Sequence, residues 1–130
     1  DTIIQTSLKK MSLAAIIKQF FVYKKKAAYA YLTDFGFTRE NIETAVNLAK
    51  GTKKLFIESN FLHEDKKNAL ETCHLTAYQA GLIASMAKAE QVKLFHFSQR
   101  YLKNGQLFES LFYNEMEQGK KAGEPDNETL

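Results

Sequence analysis

The sequence has 130 residues, 45% of them hydrophobic, which is enough apolar material for one compact core and not for two. Charged residues make up 25%, close to the globular average, so disorder is not the default, and a net charge of +3 is less basic than a dedicated nucleic-acid domain. A single cysteine, Cys73, excludes an internal disulfide and fits a reducing cytoplasm, and no apolar run approaches the ~18 residues that would span a bilayer. The opening residues, DTIIQTSLKK, lack the basic-then-apolar order of a secretory signal, so a cytoplasmic protein is expected.

In chain order, the first ambiguous stretch covers 11–23. LAAIIKQ reads as helix, whereas FFVY followed by KKK and AAYAY reads as a hairpin, and a strand is expected over 20–23. AAYAYLT (27–33) is the first clear strand. In TRENIETAVNLAKG, the residues Ile42, Ala45, Val46 and Ala49 recur at helical spacing, with Thr38 as N-cap and Gly51 as the stop. KLFIES (54–59) is a second strand, and 64–71 forms a further short helix. HLTAYQAGLIASMAKAEQ carries a T-x-x-Q capping box at Thr76 and Gln79, with Ala80, Ile83, Ala84 and Ala87 as its apolar stripe. VKLFHF (92–97) is the third strand. A last helix is expected over 106–118 with Leu107, Leu111 and Phe112 on one face, and the polar GKKAGEPDNETL is expected to fray. The chain thus divides into one region over 1–120 and a flexible tail over 121–130.

Strand, helix, strand, helix, strand is the pattern of an α/β fold in which crossovers return to a shared sheet. In such sheets ligands gather beyond the carboxyl ends of the strands. The first strand ends at Thr33-Asp34, the second at Glu58 and the third at His96, and His74 stands just before the helix that opens at Thr76. If the strands are neighbours, Asp34, His74 and His96 point into one crevice. Each residue also has a plain reading. Asp34 before Phe35-Gly36 caps a turn, His74 bonds to its own turn, His96 is a satisfied core histidine, and Glu58 pairs with a backbone amide. His63 in FLHED reads as solvated, and the neighbours Cys73 and His74 do not by themselves make a nucleophile and base. The six glycines form neither a dinucleotide fingerprint nor a phosphate-binding loop.

LTDFGFTREN, LFIESNF, HLTAYQAGLIASMA and LFHFSQRY, in that order, resemble the C-terminal half of metallo-β-lactamase-fold hydrolases of the ribonuclease Z-like group. The resemblance runs from about Tyr29 to Tyr101 and implies part of an αββα sandwich. It implies that Asp34 bridges two metal ions, that His96 is the last histidine ligand, and that His74 protonates the leaving group or steadies its charge. Glu58, Ser98 and Arg100 fall near the site, with Arg100 placed to contact phosphate or hold a neighbouring carboxylate. Phe95 and Phe35 stand where the family often has threonine, which alters the hydrogen bonds around the ligands.

The family's metal site also rests on an H-x-H-x-D-H segment, and these 130 residues hold only three histidines, at 63, 74 and 96. A catalytic zinc takes three protein ligands, and Asp34 with His96 supplies two. The resemblance therefore implies a C-terminal portion of a zinc-dependent phosphodiesterase, plausible in tRNA 3′-end maturation, that is inactive alone and retains neither of the two zinc ions of the complete site. The alternative is a non-catalytic remnant or interaction module of the same fold. Half of a two-sheet sandwich exposes an apolar face, so a homo-oligomer or a partner chain covering that face is expected.

Overall fold

The computed structural model describes residues 2–5, 10–20, 28–103 and 106–126. The chain opens with an antiparallel pair, β1 (Ile3–Gln5) and β2 (Lys10–Ser12), and runs directly into helix α1 (Leu13–Phe20). The Ser12 hydroxyl accepts the Ala15 amide at 3.2 Å and so satisfies one of the free donors in the first turn of α1. The strand expected over 20–23 is therefore corrected at Phe20, which closes α1; its other residues lie outside the described ones. The run LAAIIKQ keeps its helical reading because a serine cap precedes it and no breaker interrupts it.

Three parallel strands form the centre of the fold in the order β3 (Tyr29–Leu32), β4 (Lys54–Glu58), β5 (Gln91–Phe95). Leu32 pairs with Ile57, and Ile57 with Leu94, so one register row puts three branched side chains on the same face. Helix α2 (Arg39–Ala49) links β3 to β4. A 3₁₀ turn (His63–Asp65), α3 (Lys66–Glu71) and α4 (Ala77–Ala87) link β4 to β5. Crossovers of the usual right hand between strands in sequential order place their helices on a single face of the sheet. The burial fits that arrangement. Leu32, Leu55, Ile57 and Leu94 form one core with Ile42, Ala45 and Ala49 of α2 and Ile83, Ala84 and Ala87 of α4. On the opposite face, open among the described residues, Tyr29 and Tyr31 keep 66% and 64% of their surface exposed.

Local chemistry sets the helix ends. The Thr38 hydroxyl accepts the Asn41 amide, as expected, and Gly51 takes the left-handed conformation (φ +63°) that lets the chain leave α2 for β4. Both halves of the Thr76–Gln79 capping box are made at 3.0 and 3.2 Å. After β5 come a 3₁₀ turn (Gln99–Tyr101), the hairpin strands β6 (Leu102–Lys103) and β7 (Gln106–Leu107), and helix α5 (Glu109–Ala122). Three expectations are corrected here. β5 stops at Phe95 rather than 97. The buried face of α5 is Phe112, Met116 and Gly119, while Leu111 is exposed and Leu107 belongs to β7. GKKA does not fray but completes α5, because Gly119 is buried against α4: a Cβ there would lie 2.1 Å from the Tyr78 carbonyl oxygen. Gly81 answers it from α4, where a Cβ would lie 2.1 Å from the Met116 carbonyl oxygen, so two hydrogen-only positions let the helix backbones touch.

Candidate metal centre

Each strand of the sheet delivers one polar group at or just past its carboxyl end, and Glu58 is the group around which the others assemble. It is the last residue of β4 and has no exposed surface. A buried carboxylate is tolerated only when its oxygens are hydrogen-bonded, because leaving it unpaired costs several kcal/mol, on the order of the desolvation penalty. Oε1 accepts the Leu75 amide at 3.1 Å. Oε2 accepts the Asp34 amide at 3.0 Å and the Nδ1 hydrogens of His74 and His96, both at 3.1 Å. The Thr33 hydroxyl has one proton to give, and its 2.9 Å contact with Asp34 Oδ2 prevails over the 3.5 Å contact with Glu58.

A carboxylate only accepts, so both imidazoles place their hydrogen on Nδ1 and leave Nε2 as the free nitrogen. The rings meet edge to face, 5.1 Å apart at 89°. Asp34 Oδ1 lies 3.9 Å from His74 Nδ1 and 3.8 Å from His96 Nδ1, with 63% of its side chain exposed. One ligand atom from each of Asp34, Glu58, His74 and His96 falls within 4.8 Å of the others, a cluster of nitrogen and oxygen donors that suits a divalent metal ion. Within the cluster the donors are unequal. Glu58 is consumed by its hydrogen bonds, whereas Asp34 Oδ1 and the second ring nitrogens of His74 and His96 are not bonded to it.

The backbone around the cluster is unusual. Asp34 (φ +56°), Cys73 (φ +57°) and His96 (φ +61°) all adopt the left-handed region as non-glycine residues. Such conformations cost about 1 kcal/mol or more each and persist where the surroundings dictate them. Here the chain turns sharply at the end of β3, just before His74 and at the end of β5. His96 thus stands just beyond β5 rather than in it, turned so that its ring reaches Glu58. The plain reading of His74, bonded within its own turn, gives way to the bond with Glu58.

Other expected residues sit further out. The Arg100 guanidinium lies 3.6 Å from Asp65 and 4.9 Å from the centre of the Phe61 ring, so it holds a neighbouring carboxylate. Ser98 opens the 3₁₀ turn and gives its amide to the Asn60 carbonyl at 3.0 Å. Tyr101 donates to Asp65 and accepts the Leu62 amide at 3.1 Å; burial, and then Asp65, push its phenol up to about 12. His63 is not solvated as expected. It is half-buried beside Tyr78, with ring centres 4.5 Å apart, and its Nδ1 meets the Thr76 hydroxyl at 3.1 Å. That hydroxyl also accepts the Gln79 amide, so through its contact with His63 it ties the first turn of α4 to the loop after β4. The Glu115 carboxylate accepts the His63 amide at 2.7 Å. A lone histidine in a polar loop carries no sequence signal for this role, which depends on a fold-level contact.

Proteins named ribonuclease Z are similar to parts of this chain. The one from Protochlamydia amoebophila (strain UWE25) is 46% identical over 67 residues, covering 52% of this chain and 22% of that protein. The one from Borreliella burgdorferi (strain ZS7) is 42% identical over 78 residues, covering 60% of this chain and 23% of its own. The one from Thermobifida fusca (strain YX) is 36% identical over 85 residues, covering 65% of this chain and 26% of its own. The chain therefore spans about a quarter of the length of these curated relatives. Among solved structures, the metallo-β-lactamase fold protein YhfI from Bacillus subtilis matches with a TM-score of 0.55 over 68% of this chain and 32% of its own. At 18% identity that likeness concerns the fold alone. No protein-family model matches the chain.

The His63 environment makes stability depend on pH. Burial first, then Lys66, lowers its pKa below the ordinary 6.5, with Asp126 opposing. A depressed histidine pKa favours the neutral form in the folded state, so the unfolded chain takes up the proton first as pH falls. The contribution of His63 is complete above the unfolded value of 6.5 and is lost as pH falls from there through the folded value. Urea unfolding of wild type and His63→Gln at pH 7.5 and pH 5 checks this. The wild type is expected to lose more stability than the variant over that interval, and an equal loss in both would contradict the assignment.

Proposed function

We propose, for a chain that is homologous to part of ribonuclease Z and folded as part of a metallo-β-lactamase protein, that these residues form one wall of a hydrolase site. The reaction is metal-dependent phosphodiester hydrolysis, the substrate is RNA with a tRNA precursor as the specific case, the metal is zinc, and the setting is the cytoplasm. The convergence of Asp34, Glu58, His74 and His96 within 4.8 Å carries this reading. Asp34 and the Nε2 of His96 would hold the metal, which when bound supplies Lewis acidity and a water of lowered pKa.

The residues of the chain have distinct tasks on this reading. Asp34 is exposed and oriented by the Thr33 hydroxyl, which leaves its Oδ1 for coordination. Glu58 fixes the Nδ1 hydrogen of His96 and thereby the orientation of Nε2, the role of a carboxylate behind a ligating histidine. His74 is held by the same oxygen. In its protonated form it carries a hydrogen on each nitrogen, keeps Nδ1–H on Glu58 and gives Nε2–H to the departing oxygen when the phosphorus–oxygen bond breaks. Glu58 steadies the imidazolium until that transfer. A catalytic zinc needs three protein ligands, and Asp34 with His96 supplies two. The 130 residues taken alone are therefore proposed not to hydrolyse phosphodiesters, and a complete centre draws further ligands from outside them.

Zinc titration by calorimetry tests this assignment. With only two ligands the wild-type chain is expected to bind zinc weakly and to lose it on dialysis, and Asp34→Ala and His96→Ala are each expected to remove the remaining heat of binding. Unchanged zinc affinity in His96→Ala would sink the proposed ligand set.

A second reading, an interaction module of the same fold, is favoured by the open face of the sheet. Tyr31 stacks on Phe95 with ring centres 4.7 Å apart and lies 6.4 Å from Phe56, and the ammonium of Lys54 sits 5.2 Å from the centre of the Phe56 ring. An aromatic surface of this kind calls for a covering layer. Sedimentation equilibrium is expected to show self-association of the chain that Tyr31→Lys reverses. A wild-type monomer at all concentrations would argue against this reading.

A further inference from the structure

Away from the carboxylate–histidine cluster, a cleft of about 440 Å³ opens between the 3₁₀ turn after β5, the β6–β7 hairpin and the first turn of α5. The volume falls within the range of small-molecule sites, roughly 300–1,000 Å³. Arg100, Lys103, Phe108, Ser110 and Glu64 line it. Phe61 links the cleft to the cluster: its ring centre lies 6.3 Å from that of His74 and 4.9 Å from the Arg100 guanidinium carbon.

The geometry points to a subsite for one nucleotide of a single-stranded RNA, placed beside the phosphate that the cluster would receive. The inference rests on the phosphodiesterase reading for its strand, but the cleft and its chemistry stand apart from any metal. Asp65 and Phe61 hold Arg100 in place while engaging only part of its five-donor fork, so the guanidinium is pre-positioned for a phosphate oxygen. Lys103 is exposed and adds a second cation. Phe108, with 45% of its surface exposed, offers a ring on which a base stacks irrespective of its identity. The Ser110 hydroxyl suits a ribose hydroxyl, and the Glu64 carboxylate can accept from the amino group of a base. An acidic peptide would use the two cations, but Glu64 would repel it and Phe108 would find no flat partner. A nucleotide, with an anionic end, a polar sugar and a flat amino-bearing base, uses both cations, the exposed ring and the two polar side chains of the cleft.

The test is a proton–nitrogen NMR titration of the 130-residue chain with chelator present, so that its outcome does not depend on zinc binding or on hydrolysis. The probes are inorganic phosphate, adenosine monophosphate and single-stranded tetra-adenylate. Adenosine monophosphate is expected to shift the amide signals of Lys103, Phe108 and Ser110 and to bind more tightly than phosphate, and tetra-adenylate to bind more tightly still. Phe108→Leu, which keeps apolar bulk and loses the ring, is expected to weaken nucleotide binding about fivefold or more. Lys103→Ala is expected to weaken it as well, and unchanged spectra elsewhere confirm that both variants fold. Three results would overturn the assignment: signals that move only around Asp34 and His96, unchanged affinity in both variants, or no gain from the mononucleotide to the tetranucleotide. Unchanged zinc binding in His96→Ala alongside the expected shifts would dismiss the proposed ligand set and leave the nucleotide cleft intact.

Discussion

A carboxylate buried without exposed surface must find donors for both oxygens, and in this chain the donors that Glu58 finds are the functional groups themselves. Its Oε2 gathers the Asp34 amide, His74 and His96, and its Oε1 the Leu75 amide, all between 3.0 and 3.1 Å. Hydrogen bonds to a charged group contribute about 1.5–3 kcal/mol each, so four of them are of the size needed to offset desolvation. Three sharp left-handed turns are held by the same contacts, because straightening any of them would pull a donor away from Glu58. The site is thus a consequence of satisfying one buried charge at the end of the middle strand.

That middle position follows from topology. Two consecutive crossovers of the same hand put β4 between β3 and β5, so the last residue of β4 is within reach of the ends of both neighbours. They also put the connecting helices on one face and leave Tyr29 and Tyr31 on the other. One topological rule therefore accounts both for the convergence of the polar groups and for the open aromatic face. Part of a two-sheet sandwich has this form: one helix–sheet interface, and one sheet surface on which, among the described residues, Tyr29 and Tyr31 stay exposed.

Much of this was legible in the sequence, for reasons that differ from residue to residue. The apolar run KLFIES and the Thr38 and Thr76 caps are local signals, and the structure reproduces them within a residue or two. Asp34, His74 and His96 were placed in one crevice because strand ends can be counted and right-handed crossovers bring them together. The sequence shows Glu58 as a strand-end carboxylate able to pair with an amide, but not its hold on both histidines, because those contacts span 16 and 38 residues. His63 was misread because its partner hydroxyl sits 13 residues away. The apolar face of α5 was misplaced by one turn because its pattern includes Gly119, whose burial is visible only once α4 lies against it.

The most direct test of the central role of Glu58 is the tautomeric state of the two histidines, read from ring-nitrogen NMR of the metal-free chain at pH 8. The account predicts that His74 and His96 both carry their hydrogen on Nδ1, with Nε2 unprotonated, and that Glu58→Gln abolishes this preference in both rings at once. Rings that carry the hydrogen on Nε2 in the wild type, or that keep the Nδ1 hydrogen unchanged in Glu58→Gln, would contradict it.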